Sequence, residues 1–159
     1  MACRKLFFTF VTPELRLVEG RLPMTLLVWN NGYSVGIASI DEQHKKLVDM
    51  LNELFDGMQS SKGREVLGKI LDELIDYANM HFKFEEDIFN RVGYPDLMSH
   101  KAQHDELRQK VIAIQERYKA AQTGALSLEV INFMRGWLVN HIQGTDMKYS
   151  PFLLSKGVA

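Results

Sequence analysis

The chain has 159 residues, 46% of them hydrophobic, which is enough for one domain with a substantial core and too few for two. Its 19 basic and 20 acidic residues leave a net charge of −1 and are dispersed along the sequence, which excludes the basic stripe of a nucleic-acid binder or of a protein held on an anionic membrane. The one cysteine, Cys3, excludes an internal disulfide and suits a reducing compartment, and the apolar stretch in "MACRKLFFTFVTPE" is too short for a secretory signal or a membrane span, so a cytoplasmic protein is expected.

In chain order, residues 1–36 lack a clean hydrophobic period and carry Pro13, Pro23 and the turn-like "NNGYSVG". They read as an irregular N-terminal arm with Trp29 as its anchor, and Met24 is an alternative start. A first helix begins at "SIDE", where Ser39 and Glu42 have capping-box spacing, and buries Ile40, Leu47, Val48, Leu51, Leu54, Phe55 and Met58 along one face. Asp41 falls in its first turn, where the helix dipole favours an acid. A second helix runs from about Arg64 to Val92 and stops at Gly93. Asp96 is the N-cap expected for a third helix, which ends near Gln122, and Ser127 caps a fourth that lasts to about Gly144. Short links between consecutive amphipathic helices make neighbours antiparallel. The expectation is therefore an all-α, up-down-up-down four-helix bundle over residues 37–150, with residues 151–159 as a C-terminal tail.

All five histidines fall on the inward faces of these helices. His44 lies four residues after Ile40 and three before Leu47; His81 and Glu85 continue the seam of Leu67, Leu71, Leu74 and Ala78. His100 and His104 share a seam with Leu107 and Val111, and His141 follows Met134 and Leu138. A single inward histidine is usually a satisfied core residue. If about two of every seven positions face inward, five independent ones all do so with a probability on the order of 0.002. Glu85, in the same seam, would be costly as an unpaired buried carboxylate, and a metal removes both difficulties together.

Helical rotation selects among the acids. Four residues advance about 400°, so Glu85 lies beneath His81, whereas Glu86 points about 140° away and is expected to face solvent. Asp146, five residues after His141, would also point away on a regular helix; Gly144 offers a loosened last turn that returns it to the seam. Trp137 and Met134 read as packing. Leu47, Val48, Leu51 and Ile142 lie within a turn of the inward donors and are expected to line a dry pocket.

Together "YSVGIASIDEQHKKL", "HFKFEE", "HKAQH" and "WLVNHIQGTDMKY" resemble the bacterial single-domain hemerythrins over roughly Trp29 to Tyr149. The resemblance implies a non-haem di-iron centre with an oxo or hydroxo bridge. His100, His104 and His141 would bind one iron, His44 and His81 the other, and Glu85 and Asp146 would bridge them. Of about twelve octahedral positions, the imidazoles, carboxylates and bridge fill all but one, on the His44/His81 iron. Two ferrous ions, two carboxylates and a hydroxo bridge sum to a charge of about plus one, which oxygen binding in the family mechanism leaves unchanged in a low-dielectric core.

The implied function is reversible dioxygen binding by a monomer that is not an enzyme, with azide or nitric oxide as other small ligands. Two rivals are a di-iron enzyme (a peroxidase, or a scavenger of oxygen or nitric oxide) and an oxygen-sensing module. Oxygen-activating and iron-oxidising bundles use Glu-x-x-His pairs. Here the residues three before the histidines are Asp41, Ala78, Leu97, Lys101 and Leu138. A sensor would normally be joined to an output domain, and little chain follows Tyr149.

Overall fold

The computed structural model describes residues 25–62, 64–120 and 128–159, with only the backbone of Glu129. The arm before residue 25, the end of the third helix near Gln122 and the cap at Ser127 lie outside the described residues. After a 3₁₀ turn at Asn31–Tyr33 come α1 (Ala38–Gln59), α2 (Arg64–Val92), α3 (Leu97–Ala120) and α4 (Leu128–His141). A π-helical turn, Ile142–Asp146, joins α4 directly to α5 (Met147–Ser155). Among the described residues there is no strand, and no helix is long and apolar enough to cross a membrane.

The packing is antiparallel throughout. Leu54 and Phe55 near the end of α1 share a cluster with Leu67 and Leu71 near the start of α2. At the opposite end, Ile40 of α1 packs with Ile88 and Phe89 of α2 and with Tyr149 and Leu153 of α5. The Tyr118 hydroxyl, late in α3, donates to the Arg64 carbonyl at the head of α2 at 2.6 Å. The bundle thus has two apolar ends, and all five histidines lie between them. Leu153 is fully buried about two and a half turns past Gly144, so apolar packing continues along α5, and residues 151–155 of the C-terminal tail are helical.

Two helix ends differ in how they are made. At Gly93 the chain takes φ +69°, Tyr94 N–H reaches back to the Phe89 carbonyl at 2.9 Å, and the two rings meet at 5.0 Å. This is a glycine C-cap with its accompanying apolar contact, as expected from the sequence. The start of α1 departs from expectation. The helix begins one residue before Ser39, Ile37 stands at the cap with no side-chain bond, and the Ser39/Glu42 capping box is not formed. Asp41 takes over: it accepts from Val35 N–H at 2.8 Å and the Ser34 hydroxyl at 2.5 Å, and so ties the incoming loop to the first turn.

The start of the described part of the arm is fastened by Asn52. The Asn52 carbonyl oxygen accepts from the N–H groups of Leu26 and Leu27, each at 3.0 Å, and its amide donates to the Leu27 carbonyl at 2.8 Å. The backbone of a segment outside any helix is thereby satisfied against α1, and Leu27 is buried. Asn52→Ala is expected to cost about 1–3 kcal/mol in urea unfolding. Hydrogen exchange should accelerate first at Leu26 and Leu27, and protection in α2 and α3 should change only with global stability.

Candidate metal centre

Each helix brings donors to one layer between the two apolar ends. His44 comes from α1, His81 and Glu85 from α2, His100 and His104 from α3, His141 from the last residue of α4, and Asp146 from the end of the π turn. None is more than 5% exposed. They form two groups, Glu85 with His100, His104 and His141, and His44 with His81, Glu85 and Asp146; in each, the donor atoms lie within 4.8 Å of one another. All seven residues singled out in the sequence are therefore together.

The two carboxylates stand between the groups. Glu85 Oε2 is 3.3 Å from Nε2 of both His100 and His104, while its Oε1 is 3.6 Å from His81 Nε2 and 3.9 Å from His44 Nε2. Asp146 divides its oxygens similarly: Oδ1 is 3.1 Å from His141 Nε2 and 3.5 Å from His100 Nε2, and Oδ2 is 3.3 Å from His44 Nε2. The wide turn makes this possible. A π turn bonds residue i to i+5, so Asp146 returns to the face of His141 that an α-helix would have carried it away from. Gly144 lies within that turn.

The donors are poorly satisfied by one another. Both ring nitrogens of His44 and both oxygens of Asp146 are fully buried without a partner in hydrogen-bond geometry. His104 Nε2 is 3.1 Å from Nε2 of both His100 and His141, so three ring nitrogens converge on one point. Such an arrangement is expensive in a dry core unless a cation occupies the common focus, and imidazole with carboxylate is a donor set for iron or zinc.

Electrostatics prepares the donors for a cation. Burial, resisted only in part by Glu85, lowers the pKa of His81 to about 4, which leaves that imidazole neutral at neutral pH. Burial alone would raise the Glu85 carboxyl, but His81, His100, His104 and His44 outweigh it and hold it well below the ordinary range. For Asp146, burial and the Glu85 charge push upward, and His141 and His44 prevail downward. Both acids are thus ionised. Burial would lower His141, yet the carboxylates of Asp146 and Glu85 raise it, so proton and metal compete for that nitrogen.

Outside the donors lies a shell that spacing alone does not reveal. Tyr149, fully buried, donates its hydroxyl to Glu85 Oε1 at 2.5 Å, and burial followed by the Glu85 and Asp146 charges keeps the phenol protonated. Its signal in the sequence was its place three residues after Asp146, on the same helical face. His81 Nδ1 donates to Gln43 Oε1 at 2.9 Å and His104 Nδ1 donates to Glu86 Oε1 at 3.1 Å, which fixes both tautomers with Nε2 turned inward. Glu86 consequently does not face solvent as expected: its side chain is 15% exposed, folded over α3 by His104 and Arg108. Trp137 and Phe82 stack on His141 and His104 at 4.6 and 4.1 Å, so the packing role expected of Trp137 is directed at a donor. Beside this layer an apolar cavity of about 60 Å³ is walled by Leu47, Leu51, Phe82, Leu107, Trp137 and Leu138.

Residues 35–153 match the family described as the Hemerythrin HHE cation binding domain. The chain is 41% identical over 133 residues to a bacteriohemerythrin of Methylococcus capsulatus, covering 82% of this chain and 98% of that one. It is 37% identical over 127 residues to a bacteriohemerythrin of Stenotrophomonas maltophilia, covering 80% and 81%. A crystal structure of wild-type hemerythrin superposes with a TM-score of 0.74 at 38% identity, covering 80% of this chain and 98% of that one.

The Tyr149 contact has a measurable weight. Tyr149→Phe removes the donor from a wholly buried carboxylate and keeps the ring, so it should lower stability by about 1.5–3 kcal/mol, the range for a hydrogen bond to a charged group. The loss is to be read from chemical denaturation of the protein as purified.

Proposed function

This chain belongs to the hemerythrin family of di-iron oxygen-binding proteins, and from that premise we propose that its seven buried donors are the ligands of the two irons. His100, His104 and His141 hold one, His44 and His81 hold the other, and Glu85 and Asp146 bridge. The observation that carries this reading is the pair of donor groups that share Glu85, with His44 and Asp146 otherwise unpartnered. The irons, when bound, supply the electrons with which dioxygen is taken up.

The residues around them favour reversible binding over turnover. Five neutral imidazoles against two carboxylates stabilise ferric iron less than a carboxylate-rich site would, and no Glu-x-x-His pair is present in the sequence. Tyr149 holds Glu85 Oε1 and Gln43 holds His81, so the donors keep their places whether or not a small ligand is bound. Leu47, Leu51, Phe82 and Leu138 wall the apolar cavity beside the donor layer, a surrounding in which charged oxygen species separate poorly. With two histidines against three, the His44/His81 side offers the open position, and small anions such as azide add there.

The protein should therefore contain two irons per chain, and its visible spectrum should change reversibly as oxygen is admitted and removed. Glu85→Ala should lose or halve the iron. Leu71→Ala, a cavity in the apolar core away from the donors, should cost about 2–5 kcal/mol while both irons remain. One iron per chain at saturation, or tight zinc with no competence for iron, defeats the di-iron reading. Stoichiometric consumption of a reductant under air would replace the carrier by an enzyme.

A further inference from the structure

The supports behind the two sets of histidines differ in charge. On the side of His44 and His81, the outer nitrogen of His81 meets the neutral amide oxygen of Gln43 at 2.9 Å. On the side of His100, His104 and His141, the outer nitrogen of His104 meets the Glu86 carboxylate at 3.1 Å. An ionised acceptor makes a hydrogen bond about twice as strong as a neutral one. It draws the ring proton outward, enriches the inner nitrogen and favours the more highly charged state of whatever that nitrogen ligates.

Glu86 is itself gripped. Arg108 Nη2 lies 3.2 Å from the same Oε1 that His104 uses, Lys101 Nζ lies 3.4 Å from Oε2, and Asp105 holds the guanidinium from its other edge at 2.6 Å. The guanidinium also sits 5.1 Å from the centre of the Phe82 ring, which stacks on His104. An exposed ion pair would contribute little. Here the Arg108 and Glu86 side chains are 23% and 15% exposed, and the carboxylate stands between a cation and a buried imidazole.

We propose that this asymmetry orders the reduction of the centre: Glu86, positioned by Arg108, stabilises the ferric state of the three-histidine iron through His104, so the first electron added to the diferric protein goes to the His44/His81 iron. Arg108 shares the Glu86 charge and limits the effect. Glu86 and Arg108 are positioning residues, acting only through His104. The inference rests on the di-iron assignment above.

The test is a redox titration of the full-length, iron-loaded protein, followed by visible and Mössbauer spectra, with iron content measured for every variant. Glu86→Gln keeps an acceptor and removes the charge. It should raise the midpoint of the second one-electron step by about tenfold in ferric preference, or 59 mV, and leave the first step in place. Arg108→Met leaves Glu86 its whole charge and should move the same step in the opposite direction. Gln43→Glu should lower the first step. A general loosening of structure would shift Glu86→Gln and Arg108→Met the same way, or both steps equally, and either result overturns the proposal, as does no shift at all. If Glu86→Gln does not fold, the test is carried by Arg108→Met, which should lower the second step alone, and by Gln43→Glu, which should lower the first step alone. Two irons in the unsubstituted protein with wrong shifts defeats this inference alone; fewer than two defeats the assignment beneath it as well.

Discussion

Two carboxylates with no access to water stand at the middle of the bundle, and their charge is the constraint to which the surrounding helices answer. Neither can be neutralised by protonation, because the imidazoles beside them hold both acids ionised. Among the described residues neither is paired with a lysine or arginine; on α3, Arg108 and Lys110 engage Glu86, Asp105 and Glu106 on the outside. Positive charge has to enter the layer itself. This is why each of α1 to α4 gives up at least one inward position to a donor, and why the apolar packing falls into separate clusters on either side of that layer.

The same constraint explains how much support the donors receive. A lone ligand on a helix can rotate about two torsions, and a metal tolerates little of that freedom. Gln43, Glu86 and Tyr149 restrain His81, His104 and Glu85 by hydrogen bonds, and Phe82 and Trp137 restrain His104 and His141 by stacking. His44 differs: neither ring nitrogen has a partner in hydrogen-bond geometry, and the rings of Trp29 and His81 pack beside it. The described part of the arm therefore reaches the site as well as the bundle, because Trp29 belongs to it.

The helices and the donor positions were readable from the sequence because both obey one short-range rule, the rotation of about 100° per residue that puts residues three and four apart on one face. Where that rule fails, so did the reading. The capping box at Ser39 had the correct spacing but lost to a bond from Asp41 to Ser34 and Val35, whose geometry depends on the turn at Gly36, with φ +74°. Glu86 was assigned to solvent because its own helix points it outward. Its partners His104 and Arg108 lie on α3, eighteen and twenty-two residues away in sequence, and no periodicity reports the distance between two helices. Tyr149 was not singled out, since its role as a donor depends on the position of Glu85 on α2.

The π turn after His141 also bears on how the sequence tolerates change in length. Its wide winding takes up one residue more than an α-helical turn, so the spacings from His141 to Asp146 and Tyr149 are five and eight in place of the four and seven of an undisturbed helix. Both pairs of spacings keep the two side chains on the same face. Removing one residue between Ile142 and Thr145 would let the segment close into continuous α-helix with Asp and Tyr still in phase. The same deletion inside α1, α2 or α3 would rotate everything beyond it by about 100°. Within the helices, a one-residue change of length is thus absorbed at an elastic joint beside the most demanding part of the molecule.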